Sequence, residues 1–218
     1  MRKMTKGLIA LLLLFALMTW LCGCGETRID AEAFTDQAMK ARLTGEVEED
    51  YSKLSGIKAA DATAAYEQVL KDEQAYFADY FDIDLAKCSE ETGQRIINLY
   101  RKLFPKGKYE IGASTQSGDS YLVSLTLMPM DIVRQVREKD WQQFQLDWVA
   151  DYERLYEMEP EELEEEWANR ILDMFEERLD SVDYLEPETI SIQIVQQEGA
   201  YRISETDVKR IDTLLIKY

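Results

Sequence analysis

The 218-residue chain contains no histidine. That absence removes Ser–His and Cys–His nucleophile pairs and His-ligated zinc from the chemistry open to it. Basic residues are scarce: 25 Lys+Arg stand against 43 Asp+Glu, a net charge of −18. Nucleic acid requires a basic face, so no polyanion partner is expected. The apolar run Leu8–Leu21 holds 14 residues, short of the ~20 that a membrane-spanning helix needs. No Asp-x-Asp-x-Asp-Gly calcium loop occurs. The later sequence also lacks the alternating βαβ pattern of a two-lobed solute receptor. What the chain does have is 46% hydrophobic residues, too many for a disordered chain and enough for one domain or two small ones.

Arg2, Lys3 and Lys6 precede the apolar run, and Leu21-Cys22-Gly23-Cys24 closes it. A basic start, an apolar stretch and small residues before a cut site describe a secretory signal over residues 1–23. Leu21, Cys22, Gly23 and Cys24 resemble a bacterial lipobox. That resemblance implies diacylglyceryl transfer to the Cys24 thiol, cleavage after Gly23, and residues 24–30 as a lipidated tether. The processed chain would hold 22 Lys+Arg against 43 Asp+Glu, a net charge of −21. Cys88 would then lack an intrachain partner, so the fold must stand without a disulfide. Asp82, Asp84, Glu90 and Glu91 flank it and oppose a thiolate, which argues against a reactive cysteine.

A weak helix is expected over Ala31–Leu43, with Gly45 and Gly56 as breaks. Ala62, Tyr66, Val69, Leu70, Tyr76, Phe77, Tyr80 and Phe81 recur at helical steps and predict an amphipathic helix of about five turns. Ser89 is a candidate N-cap for a helix whose stripe is Ile96, Leu99, Tyr100, Leu103 and Phe104, with Pro105 and Gly107 ending it. Tyr109, Ile111 and Ala113, a Ser117–Asp119 turn, then Tyr121, Val123, Leu125 and Leu127 predict a β-hairpin. One long helix is expected over Asp131–Met158, with Val133, Val136, Phe144, Trp148, Tyr152 and Leu155 on one face. Pro160 suits a first helical residue, before a stripe of Leu163, Trp167, Ile171, Met174, Phe175 and Leu179. Ile190, Ile192 and Ile194, a Glu198–Ala200 turn, then Tyr201 and Ile203 predict a second hairpin. Ser204 and Asp207 suggest a capping box before a last helix on Val208, Ile211 and Leu215.

The order repeats. The helix from Arg95 and the helix from Arg170 each lead into a hairpin whose turn carries a glycine, Gly118 or Gly199. The expected fold is α+β: helices packed on an antiparallel sheet built from two β-hairpins, as a single domain over residues 31–218 with helix–hairpin halves near 61–130 and 131–218. Two small domains, one hairpin each, are the alternative. The lipobox, Lys108–Ile111 and the run Tyr121–Ile132 (YLVSLTLMPMDI) resemble a group of uncharacterised surface lipoproteins of low-GC Gram-positive bacteria. The resemblance covers most of the processed chain. It implies a cystatin-like or NTF2-like α+β fold and no catalytic residues.

Three residue sets invite a functional reading. Glu162 and Glu166 lie one helical turn apart within a run of six glutamates, so both can reach one Ca²⁺; equally, they form a solvated helix start. Tyr66, Tyr76, Tyr80, Trp141, Trp148 and Tyr152 either pack the core or line a ligand cleft. Charge is uneven: Asp151–Glu188 holds 16 acids and three arginines, whereas Gln94–Phe144 holds eight bases and five acids. The two regions either complement each other or leave an acidic face for a basic partner. The leading expectation is a non-enzymatic binding lipoprotein on the outer face of the cytoplasmic membrane, held by the lipid on Cys24, with a basic envelope protein or peptide as partner and no cofactor. The alternatives are an accessory lipoprotein of an export or sensing system and a carboxylate-dependent envelope hydrolase.

Overall fold

The computed structural model describes residues 29–218, so Leu21, Cys22, Gly23 and Cys24 lie outside the described residues. Helices α1 (Ala31–Thr44), α2 (Glu49–Ser55), α3 (Ala59–Tyr80) and α4 (Glu90–Leu103) come first. Strands β1 (Lys108–Ser117) and β2 (Ser120–Met128) follow, then α5 (Ile132–Lys139), α6 (Trp141–Ala150), α7 (Tyr152–Tyr156) and α8 (Pro160–Arg178). Strands β3 (Glu188–Gln197) and β4 (Ala200–Ile203) and helix α9 (Glu205–Leu215) complete the order. Residues 31–218 pack as one unit.

The two hairpins join into one antiparallel sheet of order β1-β2-β3-β4. Tyr121 faces Ile194, Val123 faces Ile192 and Leu125 faces Ile190 across the central pair. These six side chains are buried on one face, while Ser124, Thr126, Ser191 and Gln193 fill the other, as period-2 alternation requires. Helix α1 packs on β1 and β2, α9 on β2 and β3, and α2 on β4, while α4 packs between α3 and α8. Both hairpins turn in two residues. Glu198 and Gly199 have φ of 53° and 82°, the left-handed pair that matches strand twist. Ser89 Oγ accepts from the Thr92 N–H at 3.2 Å and Ser204 Oγ from the Asp207 N–H at 3.2 Å, so both candidate caps act as such. The Asp207 carboxylate does not close the box on Ser204 N–H. It accepts from the Ser204 hydroxyl and from the Gln193 N–H of β3, at 2.6 and 2.8 Å.

The repeat is visible in the element bounds. Helices α4 and α8 end 75 residues apart, and each runs into a 3₁₀ turn, Phe104–Lys106 or Leu179–Ser181. Strands β1 and β3 then begin and end 80 residues apart, as do the starts of β2 and β4. The five extra residues lie in the 182–187 connection, which grips the first half. Asp131 N–H donates to Asp183 O and Leu185 N–H to Pro129 O, both at 2.9 Å. Tyr184 donates to Lys106 O at 2.7 Å, and the Lys108 ammonium lies 3.8 Å from its ring centroid.

Two expectations need correction, and one helix goes beyond them. The single helix over Asp131–Met158 is interrupted at Asp140 and Asp151. Aspartate is a weak helix former, and here both side chains are held from α8: Asp140 by Arg178, at 2.5 Å from Nη2, and Asp151 by Arg170, at 2.6 Å. Across these joints Val133, Val136, Phe144 and Leu155 are buried, Trp148 is half-buried and Tyr152 is exposed. Strand β1 carries a bulge. Ile111 pairs with Leu125 but Ser114 with Val123, so Ala113 is pushed out to solvent. Helix α2 was not expected from the sequence. Gly56, at φ 69°, closes it by returning its N–H to Ser52 O at 2.9 Å, a left-handed cap that favours glycine.

Candidate functional site

The inner half of the glutamate run at the start of α8, Glu164 to Glu166, is internal wiring. Glu164 accepts from the Asp84 N–H and Glu165 from the Ser89 N–H, each at 2.7 Å. Glu165 also takes the hydroxyls of Ser89 and Thr92. Burial raises the Glu165 carboxyl, but those hydrogen bonds outweigh it and hold the group below its ordinary range. Glu166 accepts from Arg154 and Arg170 at 2.9 and 2.8 Å, and against burial they likewise hold it low. Glu162 stays exposed. The candidate calcium pair is therefore unlike in kind: one carboxylate is engaged by two guanidiniums and the other is solvated. Among the described residues no three His, Cys, Asp or Glu side chains gather as a metal site. The Cys88 thiol is pushed up to about 11, by burial first and then by Glu165, Glu164 and Asp84. Of the sequence neighbours, only Asp84 contributes.

The six candidate aromatics separate into groups. Trp141 and Trp148 join Phe144 and Trp167 in one cluster, with ring centroids 4.9–6.1 Å apart, and the Trp167 indole donates to Phe81 O at 3.0 Å. This cluster fastens α6 to α8 by packing. Tyr66 lines an apolar cavity of about 250 Å³ with Met39, Tyr51, Ile57, Val208 and Ile211. Tyr76 lines a second cleft of about 390 Å³ with Glu73, Asp212, Lys217 and Tyr218, and Tyr80 stacks edge-on to Tyr218 at 5.1 Å. Arg42 lines the first and Asp212 the second, and they pair bidentately at 2.7 and 2.5 Å.

Glu73 was missed in the sequence. Burial pushes its carboxyl up to about 7, against a hydrogen bond from Tyr218 at 3.4 Å. Tyr218 in turn shares a hydrogen bond with the hydroxyl of buried Tyr100. The signal was available: residues 66, 70, 73 and 77 step by 4, 3 and 4, so Glu73 occupies a position on the apolar stripe. Asp212, also raised by burial, is occupied by Arg42.

A second feature was also missed. Leu146, Val149, Tyr152 and Tyr156 are 59, 72, 63 and 76% exposed. They step by 3, 3 and 4 residues along the outer side of α6 and α7, opposite the buried set of Phe144 and Leu155. Among the described residues no helix is long and apolar enough to cross a membrane.

No family model matches the chain, and no curated protein matches it. Among solved structures, the fold is similar to that of a Bacillus subtilis protein, ycdA, whose description is that of a lipoprotein. The TM-score is 0.61 at 12% identity, over 87% of this chain and 56% of that one. This chain thus matches little more than half the length of that protein. At such identity the likeness is one of fold.

Proposed function

We propose that the protein is a lipid-anchored extracytoplasmic lipoprotein whose folded part is a non-enzymatic binding module. The observation that carries this reading is the lipobox-like Leu21-Cys22-Gly23-Cys24 at the end of an apolar run, in a chain whose fold is similar to that of a Bacillus subtilis protein described as a lipoprotein. The lipid on Cys24 holds the chain on the outer face of the cytoplasmic membrane. The resemblance to surface lipoproteins of low-GC Gram-positive bacteria points the same way. An exposed apolar stripe and two open cavities support binding. The acidic surface selects a basic envelope protein or peptide and repels nucleic acid.

Metabolic labelling with a palmitate analogue tests the anchor. The parent is expected to label and to fractionate with membranes, and Cys24→Ser to lose both. A Cys24→Ser chain that still labels and sediments with membranes would refute the proposal.

A further inference from the structure

We propose that the stripe of Leu146, Val149, Tyr152 and Tyr156 is a docking surface for a basic amphipathic helix of a partner protein. The inference rests on the binding-module reading and names the surface and the kind of partner. The stripe spans eleven residues, 146–156, about 15 Å of helix. Backbone bonds continue through the joint at Asp151, with Asp151 N–H to Asp147 O and Leu155 N–H to Asp151 O, both at 3.0 Å. The four side chains therefore form one ridge across the joint. Its inner side is fixed by Phe144, Trp148 and Leu155 and by the Arg154–Glu166 and Arg170–Asp151 pairs, so the outer side has no freedom to turn inward. Large apolar side chains held this far out at helical spacing mark a contact surface.

Charge selects the occupant. Asp147, Glu153, Glu157 and Glu159 rim the stripe, all exposed, with Glu161 and Glu162 beyond. Arg154 is the one base from Trp141 to Glu166, and its guanidinium is engaged by Glu166 and Asp151. A second copy would set two acidic rims against each other. A bilayer surface suits a stripe rimmed by Lys and Arg, the reverse of this one, and an anionic leaflet repels it. A helix with apolar residues at three- and four-residue steps and lysines or arginines alongside satisfies both the ridge and its rim.

The test uses the full lipidated chain in nonionic micelles, with protein-free micelles as blank. Fluorescence anisotropy follows a labelled 14-residue Leu/Lys peptide with a helical apolar stripe, beside a permuted peptide of identical composition without the stripe. The parent is expected to bind the striped peptide at least tenfold more tightly than the permuted one, and more weakly as salt rises. Val149→Ser with Tyr156→Ser is expected to weaken striped-peptide binding at least tenfold. Glu153→Lys with Glu157→Lys is expected to do the same and to flatten the salt dependence. All four positions are exposed, and circular dichroism checks that the fold is kept. Equal binding of the two peptides, or parental affinity in the serine variant, overturns the proposal. So does parental self-association that the serine variant abolishes, because the occupant is then a second copy. Palmitate labelling at Cys24 is read separately, so a failed anchor and a failed docking surface are told apart.

Discussion

The two helix–hairpin units share a backbone plan and use it differently. Ile96 and Ile171 are both buried, and Tyr100 and Phe175 stand at equivalent places with Phe77 of α3 between them, ring centroids 6.2 and 5.1 Å away. The helices directly after the hairpins are alike: Ile132, Val133 and Val136 of α5 are buried. Ile211, Leu214 and Leu215 of α9 are buried, closing the helical side over β2 and β3. The difference lies in α6 and α7, which come between α5 and α8, are fastened by one side and leave a second apolar side in water. The equivalent arginines diverge too. Arg95 reaches across to Asn169, Asp173 and Glu176 of α8, at 2.7–3.3 Å. Arg170 stays with Glu166 of its own helix and with Asp151. Backbone pattern sets the layers, and charged side chains decide what each layer is free to do.

Breaking the shared core is expected to have the largest effect. Phe175→Ala removes a ring that touches both Phe77 and Phe81 and should cost about 3–5 kcal/mol in denaturant unfolding. At the equivalent place Tyr100→Phe keeps the ring and removes only a hydroxyl bonded to Tyr218, for about 1 kcal/mol. A loss at Phe175 no larger than at Tyr100 would mean that the halves do not share this core.

The polar difference between those positions leads to Glu73. A carboxyl raised to about 7 in the fold, against an ordinary 4.5, favours the protonated folded state. Its contribution is fully favourable below the unfolded value and is lost as pH rises through the folded one. Glu73→Gln should therefore stabilise the protein more at pH 8 than at pH 5, by on the order of 2 kcal/mol. A pH-independent difference would show that Glu73 is not buried as described.

The acidic second unit gives the smallest effects. Glu166→Lys removes the acceptor of two arginines and should destabilise by roughly 1 kcal/mol, whereas Glu162→Lys should stabilise by a few tenths through relief of like charge. Millimolar Ca²⁺ should raise the parent's melting midpoint no more than sodium chloride of equal ionic strength. A calcium-specific rise lost in both variants would make the pair a metal site.

Local chemistry was legible and long-range chemistry was not. Ser89, Ser204, Pro160 and the turn at Gly199 act through their nearest neighbours, and the stripes of α3, α4 and α8 needed only periodicity. The joints at Asp140 and Asp151 depend on arginines 38 and 19 residues away. The bulge before Ser114 depends on the register against β2. Glu164 and Glu165 read as a solvated run because their partners lie 76 to 80 residues upstream. The exposed ridge is hidden in the sequence because the periodicity of an amphipathic helix predicts a single apolar face.

The proposed lipid anchor is tested most directly at the N-terminus of the protein extracted from membranes. Mass spectrometry of the chain extracted from membranes should find an N-terminal peptide beginning at Cys24 and carrying a diacylglyceryl group. A peptide that begins at Met1, or that runs through Gly23 into an unmodified Cys24, would contradict the account.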